Sequence, residues 1–292
     1  MTIGIGMLCT HGVVIAADSR MALPDGSTHL AQKLHATKSA NGAYVLTYAA
    51  DDANAARTLR DDLFEDLIEG DPATLREVED IVRPRMAKWA AAYTHHLPYI
   101  ELILGVSTPA PWVPERQLRG GAGLYFCQPP NTMLLKHFLE PDPSTYVAIG
   151  GGAAVTDPLY KTLFGGMTNP KECLKQIAYL LYRTKKDQGQ FCGGYSNAFF
   201  LREKDPAAFE ILSVYMDKAE NAGAMLDMGL RYACSSLQAS SLEESDEFLG
   251  LMRNYLDVMK IYRSLRFMTP FGRELGVQGI MPLSSQDSTY QH

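Results

Sequence analysis

Apolar positions along this chain fall into blocks of two kinds. Ile3 to Cys9 and Gly12 to Ala17 are short apolar runs, and the polar break Thr10-His11-Gly12 between them supplies the glycine of a tight turn, so the spacing predicts a hairpin. A further β-prone run, Ala43 to Tyr48, follows the turn signal Ser39-Ala40-Asn41-Gly42. The first fifty residues therefore read as strands alone. The period then changes. From Asp52 to Glu69 the apolar residues Leu59, Leu63, Phe64, Leu67 and Ile68 recur on one helical face, and the segment stops at Gly70-Asp71-Pro72. Thr74 to His95 repeats that pattern, with Pro84 inside it.

Strands are predicted again at Tyr99 to Val106, Gly123 to Gln128, Thr132 to Phe138 and Tyr146 to Ile149, ending in Gly150-Gly151-Gly152. Two helices follow, Thr156 to Phe164 and Pro170 to Lys186. The second has proline in its first turn and Arg183, Lys185 and Lys186 in its last, which suits the helix dipole. Strands at Tyr195 to Arg202 and Phe209 to Met216 complete the order: strands, two helices, strands, two helices, strands. That order excludes a regular strand–helix alternation. It predicts an α+β fold of antiparallel sheets covered by helix pairs, which a four-layer αββα sandwich satisfies.

From Asp217 the pattern is helical, interrupted at Ser235-Ser236-Leu237-Gln238-Ala239-Ser240-Ser241. The expected division is a core over 1–217 and a helical C-terminal extension over 218–292. Phe248, Leu251, Met252, Tyr255, Leu256, Met259 and Tyr262 form an apolar stripe on that extension, which must be covered by its own core or by a neighbouring subunit.

Composition narrows the function classes. The chain has 292 residues, 46% hydrophobic and 21% charged, enough for a substantial core. Its formal net charge is -6, and no basic run exceeds Lys185-Lys186, so nucleic acid is not an expected partner. The five cysteines, Cys9, Cys127, Cys173, Cys192 and Cys234, form no Cys-x-x-Cys pair and read as reduced structural thiols. Neither a basic leader nor an apolar run of membrane-spanning length is present, so a cytoplasmic protein is expected. No cofactor or metal is called for. His95-His96 has no carboxylate at ligand spacing, and Gly150-Gly151-Gly152 lacks both the lysine of a phosphate loop and the G-x-G-x-x-G spacing.

The candidate chemistry lies near the N-terminus. Methionine is ordinarily removed before a small residue, which would leave Thr2 with a free α-amine beside its own hydroxyl. An amine of pKa about 7.7 to 8 can take the hydroxyl proton at neutral pH, so one residue holds nucleophile and base. Asp18, in Ala16-Ala17-Asp18-Ser19-Arg20, and the isolated Lys33 could pair beside it, the lysine favouring an alkoxide-like threonine oxygen and the aspartate holding the lysine charged. The plainer alternative is that Asp18 caps a turn and Lys33 is a solvated charge.

Thr2-Ile3-Gly4-Ile5, then His11 through Arg20, then Lys33-Leu34 resemble the opening of proteasome β-type subunits and their bacterial N-terminal-nucleophile relatives. The resemblance implies Thr2 as the catalytic threonine and Asp18 and Lys33 as its aspartate and lysine. Thr47-Tyr48-Ala49-Ala50-Asp51 looks like the segment whose backbone N–H forms the oxyanion hole, with Ala50 at the glycine position. Tyr48 would then floor the pocket for the side chain before the cleaved bond and shorten it, favouring small or medium apolar residues. There are departures. Gly151 stands where a serine is usual, Cys192 where another is usual, and Gly189 where an aspartate is usual, with Asp187 two residues away as the catalytic aspartate that would reach the Thr2 amine through a rebuilt loop.

What the resemblance implies is a threonine peptidase acting through an acyl-enzyme on Thr2, assembled as a homo-oligomeric ring on peptide or unfolded-protein substrates, with an ATP-dependent unfoldase as a further partner. The rivals are a catalytically inactive ring subunit of the same fold and a small-molecule amidase of the same group.

Overall fold

The computed structural model describes residues 3–22, 27–93, 97–109, 121–135, 146–164, 169–190, 192–203, 205–206 and 208–237. Thr2, His95, His96 and the stripe from Phe248 to Tyr262 lie outside the described residues.

Strands buried on both faces have no polar side to alternate with, so they appear in the sequence as unbroken apolar runs. This holds for β1 (Gly4–Cys9) and β2 (Gly12–Asp18), every residue of which is buried. After them come β3 (Arg20–Ala22), β4 (Thr28–Leu30), β5 (Leu34–Lys38) and β6 (Ala43–Ala50), then helices α1 (Ala53–Gly70) and α2 (Leu75–Ala91). The chain continues through β7 (Ile100–Thr108), β8 (Gly121–Gln128), β9 (Asn131–Leu135) and β10 (Tyr146–Ile149) to α3 (Ala153–Leu163) and α4 (Pro170–Asp187). It closes with β11 (Ser196–Arg202), β12 (Phe209–Ile211) and α5 (Ser213–Leu237).

Two five-stranded sheets result, with strand orders β10-β1-β2-β11-β12 and β5-β6-β7-β8-β9, and β3 pairs with β4 as a separate ribbon. Every strand pair is antiparallel. Helices are segregated from strands in the sequence, so the class is α+β as expected.

Alternate residues of each strand serve different cores. Val13, Ile15 and Ala17 of β2 meet Val45 and Ala49 of β6 and Ile103 of β7 between the sheets. Val14 and Ala16 point the other way, into a core with Leu174, Ile177 and Leu181 of α4. Tyr44, Leu46 and Tyr48 of β6 pack with Leu59, Leu63 and Leu67 of α1 and Val78 and Val82 of α2. The sheets approach closely because glycines line the seam. A Cβ on Gly6 would lie 2.7 Å from Leu124 Cδ1, and one on Gly105 2.4 Å from Ile15 Cδ1.

Helix starts follow their capping residues. Asp52 accepts from the amides of Asn54 and Ala55, Thr74 from that of Glu77, and Asn169 from that of Glu172. Glu77 reaches back to the Ala73 amide. No helix among the described residues is long and apolar enough to cross a membrane.

Several expected elements change. The strand expected over Phe209 to Met216 ends at Ile211, and α5 begins at Ser213. Leu212, Met216 and Ala219, spaced by four and three, are all buried in the core where α5 meets α4 and β11, so packing selects the helical reading of a short apolar run that either period could fit. Strands β3, β4 and β5 were not anticipated. They are short and partly polar, and β4 is wholly exposed, so no hydrophobic run announces them.

Candidate active site

Asp18 closes β2 at the edge where β1 begins. Its backbone N–H donates to Ile3 O at 3.2 Å, and its side chain turns inward to gather three donors. Oδ1 accepts from Lys33 Nζ at 2.7 Å and from the Ile3 backbone N–H at 3.2 Å, while Oδ2 accepts from the Gly193 N–H at 2.8 Å. Lys33 reaches this point from the segment before β5 and also donates to the Arg20 carbonyl oxygen. Both charged side chains are essentially inaccessible, at 2% for Lys33 and 0% for Asp18. Burial pulls the Lys33 ammonium below its ordinary value, and the Asp18 carboxylate opposes the shift without cancelling it.

The loop after α4 wraps around this pair. Gly193 O accepts from the N–H groups of Ser19 and Arg20 at 3.3 and 3.1 Å, and the Arg20 guanidinium donates to Gly189 O. Gly194 takes φ +71°, and a Cβ there would lie 2.3 Å from Ser19 Oγ, so backbone conformation and close approach both require glycine. Cys192 is fully buried beside the pair, and burial pushes its thiol up to about 11, followed by the Asp18 charge. It is a protonated thiol at neutral pH, which is a poor nucleophile.

Three buried hydroxyls adjoin the pair. Ser19 Oγ, Thr47 Oγ1 and Ser196 Oγ have no hydrogen-bond partner among the described residues. Ser196 lies opposite Asp18 in the sheet register and Thr47 opposite Leu34, so all three sit within one residue of Asp18 or Lys33 along or across the strands. Reading the sequence did not single them out, because a serine or threonine in a β-run carries no charge or spacing signal.

The remaining sequence candidates divide. Ala50 is the last residue of β6, half-buried, with the next amide, Asp51 N–H, donating to Tyr99 O at 3.1 Å. It lies at the same edge as the pair, since Gly4 of β1 abuts Thr47 of β6. Tyr48 is buried on the helix-covered face, its ring stacked on His35 with centroids 5.9 Å apart. His35 is held down at about 4, first by burial and then by the adjacent Arg60 cation, and is therefore neutral at pH 7. Asp187 ends α4, and its carboxylate is taken by Arg183 at 3.2 Å. No described contact joins it to Asp18 or Lys33.

The arrangement of sheets and helices around this corner has counterparts among solved structures. Its fold is similar to that of Anbu. An Anbu mutant from Hyphomicrobium sp. superposes with a TM-score of 0.62 over 83% of this chain and 100% of that one, at 16% identity. Anbu from Yersinia bercovieri, described as an ancestral beta-subunit, gives 0.60 over 82% and 99% at 13% identity. A helical assembly of the Anbu complex from Pseudomonas aeruginosa gives 0.60 over 83% and 99% at 16% identity. No family model matches the chain, and no curated protein does.

These findings correct the family drawn from the opening residues. No family model supports proteasome β-type membership, and the structures named above that superpose on this chain are of Anbu. The motif around Thr2, Asp18 and Lys33 spans a small part of the chain, and side chains that only fill a core elsewhere can be exchanged freely while the fold persists.

Proposed function

We propose that this chain is an N-terminal-threonine hydrolase that cleaves peptide bonds, with its two sheets and flanking helices forming the αββα sandwich of N-terminal-nucleophile enzymes. One observation carries the reading. The buried Asp18–Lys33 pair is hydrogen-bonded to the Ile3 amide, and the residue covalently joined to that amide is Thr2.

In this mechanism the free Thr2 amine accepts the hydroxyl proton as Thr2 Oγ1 attacks the peptide carbonyl carbon. Lys33, kept charged by Asp18, favours the developing alkoxide, and the Ala50 N–H stabilises the tetrahedral oxyanion. The C–N bond then breaks, the leaving amine takes the proton back from the Thr2 ammonium, and an ester remains on Thr2. Water, deprotonated by the same amine, hydrolyses the ester. Asp187 has no step in this scheme, because Arg183 engages its carboxylate. We place the catalytic core in residues 1–217 and give the extension over 218–292 a part in an oligomer, assembly being reported for the Anbu complex from Pseudomonas aeruginosa. The second reading is a non-catalytic subunit of such an assembly, favoured by Gly151 and Cys192 where hydroxyls would assist proton transfer.

The test has two parts. Intact mass should show Met1 removed, since a retained Met1 blocks the amine. Thr2→Ala should fold and assemble normally yet lose hydrolysis of fluorogenic peptides by about three orders of magnitude or more, with Thr2→Ser retaining part of it. Equal rates in Thr2→Ala and the parent protein would leave only the non-catalytic reading.

A further inference from the structure

A single carboxylate, Glu101, interrupts the apolar run of β7, whose sequence is Ile-Glu-Leu-Ile-Leu-Gly-Val-Ser-Thr. In register it lies opposite Ala49, one residue before the proposed oxyanion residue Ala50. Ala49 belongs to the core between the sheets, so its cross-strand partner Glu101 also projects from the inter-sheet face. There Glu101 Oε2 accepts a 2.8 Å hydrogen bond from the Gly150 N–H, which belongs to the other sheet's β10–α3 turn.

That turn is packed against the start of β1. Ile149 pairs with Gly4, and a Cβ on Gly152 would lie 2.6 Å from Ile3 Cβ, so turn and Ile3 are in direct contact. Gly150 takes φ +78°, which glycine adopts without steric cost and which turns its N–H towards the carboxylate it donates to. No side-chain hydrogen bond caps α3, and the Glu101 carboxylate, held by the Gly150 N–H, lies near the positive end of its dipole. Two residues before it, Tyr99 receives the Asp51 N–H on its carbonyl at 3.1 Å, and desolvation followed by the Glu101 carboxylate pushes its phenol up.

We infer that Glu101 is a positioning residue that clasps the Gly150–Gly152 turn, and with it the Ile3 end of β1, to the Ala50 end of β6. The inference rests on the Thr2 reading for its kinetic consequence. Nucleophile and oxyanion donor come from different sheets, and Glu101 is the side chain that ties those two sheet ends together. It fits this chain's glycines at 150–152, which offer no side chain to hold the turn.

The test compares Glu101→Ala with Glu101→Gln in the full-length protein, since the carboxamide oxygen can still accept from Gly150 N–H. In Glu101→Ala, hydrogen exchange of peptides spanning 149–153 should quicken about tenfold or more, and kcat on the fluorogenic peptides should fall about 10- to 100-fold with KM within about twofold. Glu101→Gln should recover both to within about threefold. Unchanged exchange or unchanged kcat in Glu101→Ala overturns the inference, as does a loss carried in KM or a glutamine variant as impaired as the alanine one. If the parent protein hydrolyses nothing, the Thr2 reading fails by itself, and the alanine-to-glutamine difference in exchange still upholds or overturns the clasp.

Discussion

Two groups of ion pairs in this molecule look alike on paper and differ in what surrounds them. At the α4–α5 seam, Asp227 accepts from Arg183 Nη1 at 2.5 Å and Lys186 Nζ at 2.6 Å, and Glu220 pairs with Lys185 at 2.8 Å. Those cations reach solvent, with the Lys186 side chain 35% exposed. The Asp18–Lys33 pair reaches none. Pairs whose cations keep part of their surface in solvent can hold two helices in register at a smaller desolvation cost, even where the shared Asp227 carboxylate is itself covered. A fully buried pair stabilises less than an apolar pair of the same volume would, so its presence is not explained by stability. The contrast separates charges that dock elements from charges placed for chemistry.

The largest expected break in this comparison is Lys33→Met. It removes the cation that faces the buried Asp18 carboxylate, and should lower unfolding free energy by about 3 kcal/mol, read by denaturant titration, with peptide hydrolysis lost. Adding Asp18→Asn to Lys33→Met should restore much of the stability and none of the activity. A stable, active Lys33→Met protein would reduce the corner to an ordinary pair.

Acid distinguishes the regions next. Because His35 is held at about 4 against an ordinary 6.5, the unfolded chain binds a proton between those values that the folded chain refuses. Stability should therefore be complete above pH 6.5 and fall by about 2 to 3 kcal/mol as pH drops towards 4, a slope that His35→Phe flattens. At Asp227 burial pushes the carboxyl up, but Lys186 and Arg183 outweigh it and hold the group below its ordinary value. Its contribution is present above the ordinary carboxylate range and is lost only at lower pH than that of His35. A single transition common to both variants would show the regions to be coupled.

The smallest effect belongs to the seam. Asp227→Asn should destabilise by about 1 to 2 kcal/mol. Raising salt from about 0.1 to 1 M, which shortens the screening length from about 10 to 3 Å, should shrink that difference and leave the Lys33→Met deficit unaltered. Equal salt sensitivity of the two would contradict the assignment of different surroundings.

Legibility in the sequence tracked the same division between local and long-range effects. Helices α1, α2 and α4 were readable because capping residues and a periodic face are both local features, as Asp52, Thr74 and Asn169 illustrate. The start of α5 was not, since Leu212 and Met216 fit a strand or a helix equally until α4 packs against them. Glu101 carried a signal that could have been used, a lone carboxylate inside an apolar strand, but its partner Gly150 is 49 residues away. The apparent family likeness came from a few closely spaced residues, and the similarity over four-fifths of the chain is to Anbu structures at 13–17% identity.

By itself the sequence determined the alternation of strand blocks with helix pairs, the α+β class, and the presence near the N-terminus of a threonine, an aspartate and a lysine, because each depends on residue type and short spacing. Only the tertiary structure decided that Asp18 and Lys33 share a dry corner with the Ile3 amide, that Asp187 is committed to Arg183, and that Glu101 reaches across to Gly150. Those outcomes turn on which strand edges meet and how much water remains between them, and no property of a residue's near neighbours encodes either.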